Sequence, residues 1–256
     1  MTQAARARLQ ALFPDCLTGG ARIKHYARRC LAAAACCLVA ACGGEPPRGY
    51  FPLDEGLAWD YRVTTTTPYK RSENTLQIEN LGERRVGGEL YHVRKSGTGN
   101  HYYLQQLDEG IVRAAKRTVI EKRPRPAESG RFVLKEPLQP GTRWTYRVKP
   151  YLLARPFPVE TPLKRAFDYD MQWQILADGE TVEVPAGRFE QCLHIRGEAR
   201  LEIARSLSVA RDEIVFRTDE WYAPGVGLVK LEHREIIDSD QAYGGIITLH
   251  LTAFNY

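Results

Sequence analysis

Cysteine is scarce where a secreted scaffold would need it. Cys16, Cys30, Cys36, Cys37 and Cys42 all fall at or before position 42, and Cys192 stands alone in the rest of the 256-residue chain. A lone thiol closes no internal disulfide, so the fold rests on its hydrophobic core. Long apolar runs are missing as well. The stretch Leu31 to Ala41 is eleven residues long, against the roughly 20 that a transmembrane helix requires. Catalytic signatures are absent too: no Gly-x-Ser-x-Gly elbow, no His-Glu-x-x-His, and no paired cysteines for zinc. Lys95-Ser96-Gly97-Thr98-Gly99 lacks the residue order of a phosphate loop and reads as a strand connection. Finally, the body of the chain carries no excess of one charge. The formal +5 sits in residues 1–41, which hold six Lys/Arg against one Asp, and the remainder balances 30 basic with 30 acidic residues. A chain neutral in this way gives no support to nucleic-acid binding.

What is present begins ahead of Cys42. Lys24, Arg28 and Arg29 precede the short apolar run, which ends Leu38-Val39-Ala40-Ala41-Cys42. Flanking charge and the small-residue ending argue for a secretory signal over a core helix. The pentapeptide resembles the lipobox of bacterial lipoproteins, which implies removal of residues 1–41 and acylation of the Cys42 thiol and amine. The expected partner is then a membrane, held through the acyl anchor at Cys42. Gly43 stands where an inner-membrane retention signal would place Asp, which favours the outer membrane, facing the periplasm, in a Gram-negative host. Residues 42–49 read as a Gly/Pro tether and 50–256 as one domain.

That domain contains an internal echo. Pro52-Leu53-Asp54-Glu55-Gly56-Leu57-Ala58-Trp59-Asp60-Tyr61-Arg62-Val63 and Pro137-Leu138-Gln139-Pro140-Gly141-Thr142-Arg143-Trp144-Thr145-Tyr146-Arg147-Val148 agree at seven of twelve positions. Fainter pairings place His92-Val93-Arg94 beside His194-Ile195-Arg196, and Tyr102-Tyr103 beside Trp221-Tyr222. We expect two related halves, about 51–125 and 136–256. Two copies are too few for a solenoid.

The segments read as strands. Trp59, Tyr61 and Val63 alternate with Asp60 and Arg62, and Ile247, Leu249 and Leu251 alternate with Thr248, His250 and Thr252. Val184-Pro185-Ala186-Gly187 suits a type I turn, and Ala223-Pro224-Gly225-Val226 a type II turn with Gly225 at positive φ. No window shows a helical apolar stripe. The expected class is mainly β, a curled antiparallel sheet (half-open barrel or sandwich) built from the two halves. Residues 113–131 hold seven Lys/Arg against two Glu, with Pro124 and Pro126, and read as a solvated linker or, alternatively, as a basic face turned toward phosphate or lipid headgroups. Residues 149–164, rich in proline, read as an irregular loop that either lines or covers a cavity mouth or packs on the surface.

Chemistry is sparse. Cys192 and His194 share a strand face and form a possible thiol–imidazole couple, but no third ligand stands near, and a single cysteine is most often buried. We expect no catalytic residue, no metal site and no cofactor. The aromatics Trp59, Tyr61, Trp144, Tyr146, Trp221 and Tyr222 are candidates either for a structural core or for the lining of a ligand cavity.

Two stretches carry a family resemblance: Val184-Pro185-Ala186-Gly187-Arg188-Phe189-Glu190-Gln191-Cys192-Leu193, and Glu220-Trp221-Tyr222-Ala223-Pro224-Gly225-Val226-Gly227-Leu228-Val229-Lys230. With the Pro52-Leu53…Gly56…Trp59…Tyr61 opening, they resemble a signature of exported bacterial β-rich lipoproteins of uncharacterised function. The resemblance implies an envelope β-domain and supplies no catalytic residue. The expectation is a non-enzymatic outer-membrane lipoprotein that binds an apolar or envelope-derived ligand. The alternative is a structural or interaction component of an envelope assembly with a protein partner, and an enzyme ranks third.

Overall fold

The computed structural model describes residues 49–155, 161–163, 167–204 and 211–255. Cys42 and the segment before it lie outside them. Among the described residues there is no helix. The strands are β1 (Ala58–Thr66), β2 (Arg71–Val86), β3 (Glu89–Ser96), β4 (His101–Leu107), β5 (Gly110–Arg117), β6 (Arg125–Lys135) and β7 (Arg143–Val148). They are followed by β8 (Ala154–Arg155), β9 (Thr161–Pro162), β10 (Tyr169–Val184), β11 (Gly187–Ala204), β12 (Arg211–Ala223), β13 (Gly227–Ile237) and β14 (Gly245–Phe254).

Twelve strands form one antiparallel sheet in the order β6-β5-β4-β3-β2-β1-β14-β13-β12-β11-β10-β7, and β8 pairs with β9. The order is that of two consecutive meanders, β1 to β6 and β7 with β10 to β14, joined where β1 pairs with β14. The two edges, β6 and β7, come close together without a ladder between them. Twist and curl have therefore brought the sheet's ends together without closing it. This is the half-open member of the expected class.

The curl is held from inside. Leu104 and Leu134 from one end of the sheet share a buried cluster with Trp144, Tyr146, Trp173, Ile195 and Phe216 from the other. Each fully buried side chain of this size contributes roughly 1.5–3 kcal/mol. A second cluster gathers Trp59, Tyr61, Val182, Cys192, Val229 and Leu251. A small third one, Val93, Tyr103 and Ala115, lies on the outer face of the first meander.

The turn chemistry behaves as its residues require. Gly225 takes φ 72° and the Val226 N–H donates to the Ala223 carbonyl at 3.2 Å. The β10–β11 turn falls at Pro185-Ala186. Register shifts in the β2–β3 and β10–β11 ladders fall around Gly82 and Gly179, both at positive φ (73° and 84°). Such bulges add one residue to a strand and reverse the facing of all that follow.

The basic stretch 113–131 departs from expectation. Only its middle is a connection; residues up to Arg117 belong to β5, and those from Arg125 belong to β6. Pro126 is tolerated because β6 is an edge strand with an unpaired side. The proline-rich stretch after β7 is irregular up to Leu153, and one residue holds its backbone there. Glu235, 2% exposed, accepts hydrogen bonds from the backbone N–H groups of Tyr151, Leu152 (3.0 Å) and Leu153 (2.7 Å).

Candidate functional site

The six aromatic residues go to four different places. Trp59 and Tyr61 are buried in the second cluster. The Trp59 Nε1–H donates to the Val226 carbonyl at 2.7 Å and the Tyr61 hydroxyl to the Leu228 carbonyl at 2.9 Å, which gives each buried ring its polar partner. Trp144 stacks on Trp173 with centroids 6.3 Å apart, and Tyr146 stacks on the same indole at 5.2 Å. Trp221 lies on the outer face against His194, centroids 4.5 Å apart, and its Nε1–H donates to Glu180. Tyr222 points inward and donates its hydroxyl to Glu220 at 2.6 Å. Of the six, Tyr146 and Tyr222 line the interior cavity.

That cavity, about 180 Å³, lies between the two ends of the curled sheet. Its apolar and aromatic wall is built from Phe51, Tyr102, Leu104, Tyr146 and Trp173. Its charged wall consists of Arg94, Arg113 and Arg131, opposed by the single carboxylate Glu220. The sequence-based expectation was an apolar or envelope-derived ligand; the wall is part apolar and aromatic, part cationic. Arg113 and Arg131 come from the basic stretch, for which the sequence leaves open a solvated linker or a face for phosphate or lipid headgroups. They are direct cross-strand partners in the β5–β6 ladder and share one face, the inner one.

The three guanidiniums are held differently. Arg94 is braced on all sides. It donates to Asn80 Oδ1 at 2.8 Å and the Pro52 carbonyl at 3.0 Å, and its carbon sits 4.1 Å from the Phe51 centroid and 4.6 Å from that of Trp59. Burial lowers its pKa to about 10, against the opposing pull of Tyr61 and Tyr222. Arg131 lies 4.4 Å from the Tyr146 centroid and donates to the Tyr151 hydroxyl. Among the described residues, the ring that meets Arg113 is Tyr102, at 5.7 Å, and burial and then the charge of Arg131 lower its pKa against the pull of the surrounding tyrosines. Lys116 shares that ring, 5.5 Å from the Tyr102 centroid, and its pKa is lowered by burial and by Arg113. Glu220 moves the opposite way. Burial raises its pKa although the Tyr222 hydroxyl and Arg131 favour its charged form.

Donors around the cavity outnumber acceptors. Trp144 Nε1, Trp173 Nε1 and the Tyr169 hydroxyl are buried with no hydrogen-bond partner among the described residues. A neighbouring groove of about 680 Å³ shares Phe51 with the cavity and has the opposite sign, with Asp54, Glu55, Glu83 and Glu136 on its walls.

The outer face of the second meander carries a separate polar network. His194 Nδ1 lies 3.0 Å from Glu180 and its Nε2 lies 2.9 Å from Asp219, which also accepts from Arg196 at 2.7 Å. Both imidazole nitrogens are thus engaged. Burial pushes the Cys192 thiol up to about 11 and its sulfur donates to the Phe189 carbonyl, so at neutral pH it is neither thiolate nor partnered by His194. Among the described residues no group of three His, Cys, Asp or Glu side chains is placed to hold a metal ion.

The two histidine tripeptides do not occupy like positions. From Trp59 the ladders run through Ile78 and Asn80 to Arg94; from Trp144 they run through Trp173 and Ile175 to Ile195. Arg94 therefore takes the inward place that Ile195 has in the other meander, while His194 and Arg196 face out. Pairing His92 with His194 is off by one residue on the sheet, and the bulges account for the slip.

No family model and no curated protein matches the chain. Two solved structures align over 82% of this chain and the whole of theirs. One is described as a "putative lipoprotein from Parabacteroides distasonis ATCC 8503" (13% identity, TM-score 0.35). The other is described as a "putative exported protein with YmcC-like fold" from Bacteroides fragilis NCTC 9343 (15% identity, TM-score 0.35). Likeness at this level carries no argument about the present chain.

Proposed function

We propose that the protein is a non-enzymatic envelope lipoprotein, anchored through Cys42 in the outer membrane, whose curled periplasmic sheet binds an envelope-derived ligand. The observation that carries the ligand reading is the interior cavity beside the unpaired β6–β7 seam. Arg131 and Val133 of β6 and Tyr146 of β7 all line it, so both free edges contribute to its wall. A seam without a ladder is where the sheet opens at the least cost in hydrogen bonds, and it gives a ligand lateral access. The anchor rests on the Leu38-to-Cys42 sequence. Two acyl chains suffice to hold a protein on a bilayer. In this reading the two meanders are copies of one unit, because the shared Pro-Leu…Gly…Trp…Tyr stretch leads into β1 and β7 and turns Trp59 and Trp144 to the inner face.

A second reading, as a component of an assembly, draws on the tip between β5 and β6. Val119 is 70% exposed and Ile120 90% exposed, an apolar point directed at solvent.

The test uses the full chain expressed with its own signal in a Gram-negative host. Wild type should take up labelled palmitate and sediment with outer membranes, and Cys42→Ser should do neither. Native mass spectrometry of the detergent-solubilised protein should then show a stoichiometric lipid beyond the anchor's own chains. An unlabelled wild type refutes the anchor. An empty protein refutes the ligand reading and directs attention to crosslinking through the Val119–Ile120 tip.

A further inference from the structure

The interior cavity is lined by more positive than negative side chains. Arg113 and Arg131 stand directly opposite on adjacent strands, an arrangement of like charges that is unfavourable even on a solvated sheet. Here both are turned inward against aromatic rings. Charges withdrawn from water are ordinarily paired, yet half-buried Arg113 has no carboxylate and no hydrogen-bond acceptor among the described residues, and its ring contact to Tyr102 is a long one at 5.7 Å. Glu220 is the one carboxylate on the wall, against three guanidiniums. It already accepts a hydrogen bond from Tyr222. The donor surplus extends to the Trp173 indole, whose ring lines the cavity and whose N–H has no partner among the described residues.

We infer that the cavity is an oxyanion site, in which the phosphate or carboxylate head of an acidic amphiphile seats between Arg113 and Arg131 while its apolar chain runs out past Phe51. This deepens the ligand reading above and rests on it. Guanidinium groups suit the task because their planar fork meets two oxygens of a phosphate or carboxylate at once. Size fits the head and not a whole lipid. The cavity's 180 Å³ is close to the roughly 150 Å³ that accommodates a single benzene ring, and below the roughly 300–1,000 Å³ of pockets that enclose drug-sized molecules. Orientation follows from the neighbouring groove. Phe51 walls both spaces, and Leu107, Ile111, Leu134 and Leu138 offer apolar surface beyond it. The groove's carboxylates repel an anionic head, so the head is driven inward to the arginines and the chain is left outside.

The bland alternative is that the arginines only stack on aromatic rings. It accounts for Arg94, which has two rings and two hydrogen bonds, and in part for Arg131. It does not account for Arg113.

The test uses the acylated full-length protein in decyl maltoside, an uncharged detergent, with tryptophan fluorescence read during titration with decyl phosphate, inorganic phosphate or decanol. Decyl phosphate should bind saturably and about tenfold or more tighter than either of the others. Arg113→Gln and Arg131→Gln should each weaken it about tenfold or more, as removal of a charge-assisted hydrogen bond does. Decanol should be unaffected by both changes. Arg113→Lys keeps the charge without the fork and should fall between; its thermal melt, with those of the Gln variants, separates lost binding from lost folding. If decyl phosphate binds wild type and folded Gln variants alike, the oxyanion site is refuted while the ligand reading survives. If no probe binds, both fall. If inorganic phosphate binds as tightly as decyl phosphate, the site takes a free oxyanion and the amphiphile is refuted.

Discussion

Glu235 offers the sharpest test of how the interior is held. Its carboxylate is almost fully enclosed and accepts from the backbone N–H groups of Tyr151, Leu152 and Leu153, while His233 Nε2 lies 3.0 Å from the same group. His233 in turn meets Thr218 Oγ1 at 2.7 Å, and its ring lies edge-on to Tyr151 at 5.3 Å. One side chain of β13 thus fixes the path of the chain leaving β7 and brings Tyr151 to Arg131. Glu235→Ala removes every acceptor at once and leaves three amide donors facing a void. Hydrogen bonds to a charged group are worth about 1.5–3 kcal/mol each. They are not additive, and breaking a buried charged network from one side costs about 3–5 kcal/mol. We expect that loss, a large share of the roughly 5–15 kcal/mol that holds a domain together. Glu235→Gln keeps one acceptor oxygen and should lose about half as much, on the same scale per bond. Urea unfolding gives the midpoint and slope, and amide exchange at Leu152 and Leu153 reports the local release. A Glu235→Ala loss below about 1 kcal/mol, the value of one ordinary bond, with exchange at those amides unchanged, would refute the reasoning.

Two further predictions concern the cavity wall. A Cβ at Gly197 would come within 2.9 Å of the Trp173 indole, which stacks on both Trp144 and Tyr146. Gly197→Ala should therefore destabilise the protein by about 1–3 kcal/mol, as overpacking does, and shift tryptophan emission; an unchanged urea midpoint would show that the indole has room to move. Glu220 has a raised pKa in the folded state, mainly from burial. Its stabilising contribution is complete below its ordinary value of 4.5 and declines as pH rises through the folded value, because the unfolded chain gives up the proton first. Glu220→Gln, titrated in urea between pH 4 and 8, should flatten that decline, and it should tighten decyl phosphate by removing the cavity's own negative charge. Identical pH profiles for variant and wild type would count against both the burial and the charge argument.

Much of the fold is legible in the sequence because its cause is local. Alternation along Trp59-Asp60-Tyr61-Arg62-Val63 marks β1, and the glycine of Ala223-Pro224-Gly225-Val226 marks the turn before β13. The tryptophans that open each meander fall on the inner face, as a period of two requires. What escapes is non-local. Arg113 and Arg131 sit among charged neighbours and prolines that signal solvent, and only the pairing of β5 with the edge strand β6 turns both inward. The signal available was position: Arg113 follows Ile111 and Val112, and Arg131 precedes Phe132 and Val133. The histidine tripeptides mislead because a bulge costs one residue in the alignment and a whole face in space. Glu235 lies in Glu232-His233-Arg234-Glu235, a charged run that gives no hint that its second carboxylate caps amides more than eighty residues earlier.

The joint between β1 and β14 has a consequence for how the chain assembles. These strands, nearly two hundred residues apart, form the middle of the sheet, and Asn255 is stitched to Ala58 by hydrogen bonds in both directions. A nascent or translocating chain accordingly makes each meander from near neighbours and must wait for the last described strand before joining them. The entropy of closing so long a loop is met late, by a single ladder. Clipping at this end would not trim an edge. It would remove the keystone and leave two half-sheets, each with an open, sticky margin.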